Sequence, residues 1–353
     1  MKIIHTSDLH LDSALTTRLD SKKVRERKNE LVISFKKTVE YAKNSNTDAI
    51  IIAGDLFDSE KAGKRTQKSV LEIIASAPDV SFFYLSGNHE RNLISKSGFP
   101  LPENLKLFGE DWTYFRCGDV NIIGRSETAP DMFSKIMLNE NEKNVIVLHG
   151  ELRDRSDYGG IIGIKDAEEL AIDYLALGHY HSYSEVKISR RCTAVYSGTP
   201  EGRGFDEAGP CGYVSVKIDQ SGVSHSFVES AKRTLRIIEA NVTDTPSDMA
   251  LIYKIEHALK DVSHKDLVRI CLVGTRELGR YFDTDAIISA LRESFYYIEI
   301  KDGTHLNITP ESFKNDLSLK GEFIRGVLDD TTLDEKEKEA VINLGLSVLM
   351  EEV

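Results

Sequence analysis

Along residues 1–230, short unbroken apolar runs alternate with longer stretches in which apolar residues recur at helical spacing. The runs are mostly β-branched or aromatic and too short for buried helices, so they read as strands covered on both faces. They predict strands at Lys2–Thr6, Ala49–Ala53, Ser81–Leu85, Val120–Gly124, Asn144–Leu148, Tyr174–Leu177, Thr193–Tyr196, Tyr213–Ile218 and Ser224–Val228. Between the first two, Leu31, Phe35, Val39 and Ala42 are spaced along one helical face among Lys and Glu, which predicts an amphipathic helix. Val70, Ile73, Ile74 and Ala77 predict a second helix, ended by Pro78. This order of elements is that of βαβ units around a largely buried sheet.

Near residue 231 the pattern restarts. A strand within SAKRTLRIIEANVT is followed by a helix around Met249–Leu259, a strand at Leu267–Val273, a helix at Asp285–Glu293 and a strand at Tyr296–Ile300. Residues 311–353 read as helical and end in a highly charged helix with Ala340, Val341, Leu344, Val348 and Leu349 as an apolar stripe. The pattern leaves two roles open for that stripe, packing on its own domain or docking a partner. A chain of 353 residues has room for one large α/β domain and a smaller one, because single cores stop growing near ~250–300 residues. The expected division is 1–230, 231–305 and a helical segment 306–353.

Charge and cysteine usage narrow the setting. The opening MKIIHTSDLH places an acid and two histidines in the first apolar stretch, unlike a signal peptide, and no run approaches the ~18 apolar residues of a membrane span. Cys117, Cys192, Cys211 and Cys271 are scattered without a CxxC pair, which points to free thiols and a cytoplasmic home. The net charge is −12, and neither part is basic: residues 231–353 hold 16 Lys+Arg against 23 Asp+Glu, residues 1–230 hold 29 against 34. A self-sufficient nucleic-acid surface needs clustered Lys and Arg. If the substrate is a polyanion, bound cations or a partner must supply the attraction.

Five polar motifs each follow a predicted strand: Asp8-Leu9-His10, Gly54-Asp55-Leu56-Phe57-Asp58, Gly87-Asn88-His89-Glu90, His149-Gly150 and Gly178-His179-Tyr180-His181. Taken singly each is weak, since Asp-x-His reads as a capped turn and Gly-Asn as a left-handed one. Together they converge, because α/β sheets gather ligands at the carboxyl ends of their strands. Carboxylate and amide oxygens mixed with imidazoles suit divalent first-row metals. Glycines 54, 87, 150 and 178 are expected to let the backbone turn sharply there.

In order and spacing these motifs resemble the calcineurin-like metallophosphoesterase superfamily, over residues 5–181. The resemblance implies an α/β fold, a β-sandwich flanked by helices, with a smaller α+β capping domain and a helical C-terminal segment. It also implies two divalent metal ions as cofactors, with manganese expected. Asp8, His10 and His181 would hold one ion and Asn88, His149 and His179 the other, with Asp55 bridging them. His89 is not a ligand in this scheme and is the expected catalytic group, protonating the leaving oxygen or stabilising the transition state. Its alternative is merely to orient Asn88. Glu90 and Asp58 are expected to orient histidines rather than bind metal.

Within the superfamily, IIHTSDLHLDS, GDLFD and YSGTPEGRGFDEAGPCGYVSVKID are most similar to SbcD-type DNA repair exonucleases. That implies a DNA substrate, an SbcC-like coiled-coil ATPase docking on the segment after residue 311, a homodimer, and no membrane. Two positions depart from the pattern. Asp58 stands where some members have histidine, and Glu90 replaces the commoner aspartate, as in protein Ser/Thr phosphatases. A protein or small-molecule phosphatase, or a phosphodiesterase, is therefore the enzymatic alternative, although Asp58 is followed by Ser59-Glu60 rather than Arg-Gly. A scaffold that has lost catalysis is the non-enzymatic alternative, opposed by the complete ligand set. Arg203, in Gly-Arg-Gly, either reaches a substrate phosphate or caps its loop.

Overall fold

The computed structural model describes residues 1–351 except 16, 157, 278–279, 308–312 and 314. It divides into two units, Met1–Leu235 and Arg236–Val353. The first contains two six-stranded sheets. One sheet has the order β14-β13-β1-β2-β3-β4, where β1 is Lys2–Thr6, β2 Ala49–Ala53, β3 Ser81–Leu85, β4 Leu105–Leu107, β13 Gly212–Asp219 and β14 Gly222–Glu229. The other has the order β11-β12-β10-β7-β6-β5, where β5 is Thr113–Cys117, β6 Val120–Gly124, β7 Lys143–His149, β10 Tyr174–Gly178, β11 Ser184–Lys187 and β12 Thr193–Tyr196. The short strands β8 (Glu151–Arg153) and β9 (Ile161–Gly163) pair with each other outside both sheets.

The unbroken apolar runs are explained by layering. Along β1 and β2, Ile3, Ala49 and Ile51 face between the sheets, where they meet Val145, Val147, Tyr174 and Val195 of the second sheet. The alternate residues Ile4, Ile50 and Ile52 face the other way, onto Leu31, Phe35 and Val39 of helix α1 (Ser21–Asn44) and Val70 and Ile74 of helix α2 (Lys64–Ala75). The outer face of the second sheet, with Ile146, Leu148, Leu175 and Leu177, is covered by Met132, Phe133, Ile162 and Ala167. Each central strand is thus apolar at both parities, as a strand buried on both faces must be. The result is the expected α/β sandwich flanked by helices.

Four pairings set the site. β1 with β2 and β2 with β3 are parallel in the first sheet, and β6 with β7 and β7 with β10 are parallel in the second. Parallel pairing brings the carboxyl ends of neighbouring strands to one edge of each sheet. The predicted central strands form with shifts of at most two residues at their ends. The short strands β4, β5 and β11 were not predicted, nor were β8 and β9. β11, Ser-Glu-Val-Lys, is exposed throughout. A charged edge strand carries no apolar signal to read.

In the second unit, strands Leu235–Asn241, Leu267–Val273 and Tyr297–Asp302 form one sheet, with the last two parallel. Helices Asp248–Leu259 and Thr284–Leu291 pack on it through Leu251, Ile255, Ile287 and Leu291. Helices Leu319–Asp329 and Glu335–Glu351 follow, joined through Ile324, Val327, Ile342 and Leu346. These inward residues are not the apolar stripe read from the sequence: of that stripe Leu344 is 69% exposed and Val341 and Val348 are exposed, whereas Ile342 is 2% exposed. The side chain of Leu349 and residues 308–312, 314 and 352–353 of the expected helical segment lie outside the described residues. Among the described residues no helix is long and apolar enough to cross a membrane.

Candidate metal centre

Strands β1, β2, β3, β7 and β10 deliver all seven expected ligands to one place. Asp8 N–H donates to Gly54 O at 3.1 Å, and His10 N–H to Asp55 O at 2.9 Å, so the first two motifs are laced together by backbone bonds. His179 N–H donates to the Asp8 carboxylate at 3.1 Å, which ties in the fifth. Gly178 pairs with His149 across β10 and β7, bringing in the fourth. His149 is the last residue of its strand rather than one beyond it.

The backbone here is strained in a way the sequence pattern does not announce. Asp8 (φ 52°), His10 (φ 43°), Asp55 (φ 50°) and His179 (φ 112°) all lie at positive φ. Such non-glycine residues cost ~1–3 kcal/mol each and cluster at functional sites. Of the glycines expected to provide the turns, Gly54 does so at φ +94°. Gly87 is not at positive φ; a Cβ there would overlap the Asp55 carboxylate. Room for the ligand, not chain reversal, demands glycine at that position.

Two clusters share Asp8, and Asp55 stands between their histidines. Asp8, His10 and His181 bring ligand atoms within 4.8 Å of one another, as do Asp8, Asp55 and His149. Asp55 Oδ2 lies 3.3 Å from His149 Nε2 and 3.7 Å from His10 Nε2, between the two groups. Asn88 Oδ1 is 3.0 Å from His149 Nε2, and the His149 and His179 rings are 5.5 Å apart. His10 Nε2 and His181 Nε2 face each other at 3.2 Å. Two imidazole lone pairs do not converge at that distance without a proton or cation between them. His10 Nδ1 makes no hydrogen bond although Asp58 Oδ1 lies 3.3 Å away. Buried carboxylates and imidazoles aimed at one another fit a pair of cations.

Titration behaviour agrees with that fit. Burial alone would lower the His149 pKa, but its hydrogen bond to Asp55 and the charges of Asp8 and Asp55 outweigh it and hold it near 9. Asp55 is pushed up by burial, yet His149 brings it down to about 2. Burial raises Asp8 and lowers His10 to about 3, so His10 stays neutral and able to ligate. The proton on His149 thus occupies a place that a cation would take.

The other expected residues surround this centre. His89 is half exposed, its Nδ1 is 3.1 Å from Asp58 O, and its Nε2 is 3.9 Å from Asp55 Oδ2. Glu90 does not orient a histidine. It is fully buried and accepts from the N–H groups of Leu56 and Phe57, clamping the second motif's backbone; burial lifts its carboxyl to about 7 despite those bonds. Arg203 is engaged with Asp58 at 2.9 Å and with Glu207, so the geometry favours a structural role over a substrate contact. Glu207, which sequence reasoning missed, stands 2.8 Å from His181 Nδ1. Its one signal is a four-residue spacing from Arg203. A cavity of about 540 Å³ opens beside Asn88, His149 and His179, with Arg91, Ser126 and Thr128 on its walls.

Comparison with known proteins adds a family to this geometry. Residues 1–183 match the protein family described as calcineurin-like phosphoesterase. The chain is 24% identical over 296 residues to the uncharacterized metallophosphoesterase YhaO of Bacillus subtilis, covering 78% of this chain and 72% of that protein. It is 26% identical over 260 residues to the DNA double-strand break repair protein Mre11 of Methanosarcina acetivorans, covering 69% of this chain but 41% of the relative's own length. It is 24% identical over 315 residues to a subunit of the nuclease SbcCD of Staphylococcus saprophyticus, covering 75% of this chain and 79% of that protein.

Proposed function

Because the chain belongs to the calcineurin-like phosphoesterase family, we propose that its strand-end centre holds two divalent ions, manganese in the cell, and hydrolyses phosphodiester bonds in DNA. The observation that carries this reading is the placement of Asp55 Oδ2 between His149 and His10, which belong to two clusters joined by Asp8. Asp8, His10 and His181 would hold one ion, Asn88, His149 and His179 the other, and Asp55 both. Two such ions supply Lewis-acid activation of water and a clamp on the phosphoryl oxygens.

Hydrolysis breaks one P–O bond, and the leaving oxygen needs a proton. His89 is suited to give it. A carbonyl only accepts, so Nδ1 beside Asp58 O carries hydrogen, and Nε2 is directed towards Asp55. In the imidazolium form Nε2–H donates to the leaving oxygen, an effect worth ~100–10,000-fold in rate. The DNA substrate is supported by relatives named for double-strand-break repair and for a nuclease. An SbcC-like coiled-coil ATPase is the partner proposed for the C-terminal helices, supported by the exposed face of Val341, Leu344 and Val348.

The test is to incubate the manganese-loaded chain with end-labelled duplex and single-stranded DNA, and separately with a phosphopeptide. Release of nucleotides from DNA is expected. Phosphate release from the peptide without DNA cleavage would replace the nuclease reading by a phosphatase. Hydrolysis of neither substrate would favour a scaffold.

A further inference from the structure

Resting on the two-ion reading, we propose that Glu207, Arg203 and Asp58 form a carboxylate clamp on one ion site and not the other, in which Glu207 orients the His181 imidazole and Asp58 stands beside His10. Glu207 Oε1 lies 2.8 Å from His181 Nδ1, and Glu207 is buried. An ionised carboxylate can only accept, so His181 Nδ1 carries the hydrogen and Nε2 presents its lone pair to the space shared with His10 and Asp8. Arg203 Nη2, 3.3 Å from the same Nδ1, is then a neighbour and not its partner.

Arg203 holds Glu207 in place with its side chain, through Nε at 3.0 Å and Nη2 at 2.5 Å, and with its backbone N–H at 2.6 Å. Its Nη1 donates to Asp58 Oδ1 at 2.9 Å, and that oxygen stands 3.3 Å from His10 Nδ1. One guanidinium therefore anchors two carboxylates, one behind each histidine of a single cluster. The loop bearing Arg203 is fixed in turn by buried Arg27 of α1, which donates to Glu201 at 2.7 Å and to Gly202 O at 2.6 Å.

The opposite cluster is oriented differently. His149 Nδ1 lies 2.9 Å from Ala53 O, a main-chain acceptor at the end of β2. Side-chain substitution can therefore loosen one site while leaving the other's histidine in place. Glu207 and Arg203 are positioning residues, and their effect is on ion affinity before it is on turnover. Loss of such a partner costs ~10–100-fold in metal affinity.

The experiment is a calorimetric titration of the metal-free full chain with Mn²⁺, for wild type, Glu207→Gln and His179→Ala, with thermal unfolding of each metal-free chain alongside. Glutamine keeps the volume and an acceptor oxygen, so the fold is retained while the charge is lost. Two ions are expected for wild type. Glu207→Gln should weaken one of them 10–100-fold and leave the other unchanged, His179→Ala should weaken the other, and the double variant should weaken both. Unchanged affinities in Glu207→Gln, or equal weakening of both ions, would overturn the clamp. A wild-type chain that takes up fewer than two ions would instead overturn the two-ion reading beneath it.

Discussion

Parallel strands end in both units, yet one set ends in chemistry and the other in ordinary turns. In the second unit, Leu267–Val273 runs into Gly274, which takes the left-handed position itself at φ +94°. Tyr297–Asp302 ends on an Asp whose carboxylate accepts from Thr304 N–H at 2.9 Å and Thr304 O–H at 2.7 Å. The Asp302 carboxylate is thus satisfied within its own turn, and Asp302 and Gly303 are exposed. In the first unit the left-handed positions fall on Asp8, His10, Asp55 and His179, of which Asp8, His10 and Asp55 are buried. The same strand-then-turn pattern thus gathers four left-handed non-glycine residues at one place, whereas the two parallel strands of the second unit end on a left-handed glycine and on a locally bonded Asp. Something that rewards that gathering, such as a pair of cations, explains the difference.

The largest test of that contrast is Asp55→Asn. It removes the charge proposed to serve both ions, and phosphodiester hydrolysis should fall ~1,000-fold or more, the scale of losing Lewis-acid stabilisation worth several kcal/mol. An assay with activity near wild type would break the comparison. His89→Ala comes next. It should keep both ions, measured by elemental analysis of the dialysed protein, while kcat falls ~100–10,000-fold.

Acidity sharpens the comparison further. His149 titrates near 9 without metal and must be neutral to ligate. Below that value a proton competes with the ion, so Mn²⁺ affinity should rise ~10-fold per pH unit per proton released, from about pH 6 up to about 9, and then level off. Titration in two buffers of different ionisation enthalpy reads the released proton directly. The second unit offers the smallest effect. Ile342→Ala should destabilise by ~2–5 kcal/mol because its side chain is buried. Leu344→Ala on the exposed face should change stability by under ~0.5 kcal/mol. The second variant should weaken capture of the proposed ATPase partner nonetheless, checked in a binding assay; unchanged binding would remove that face from the docking proposal.

Much of this was legible from sequence because the signals are local. Unbroken β-branched runs such as Ala49–Ala53 announce strands buried on both faces, and polar motifs interrupting such runs announce a shared edge. What was not legible depends on contacts distant in the chain. Glu207 matters through His181, and Asp58 through Arg203, 145 residues away. Glu90 carries the same charge whether it orients a histidine or clamps Leu56 and Phe57. The choice between the two faces of the terminal helix was set by Ile324 and Val327 of the preceding helix, which select Ile342 and Leu346 as partners. Nor does sequence report that Asp8, His10, Asp55 and His179 are themselves the left-handed residues, since Asp and His can adopt either backbone state.

The central claim is that two ions share Asp55. Anomalous diffraction from crystals grown with Mn²⁺ tests it most directly. Two peaks are predicted, one among Asp8, His10 and His181 and one among Asn88, His149 and His179, with the Asp55 carboxylate touching both. A single peak, or peaks away from Asp55, would contradict it.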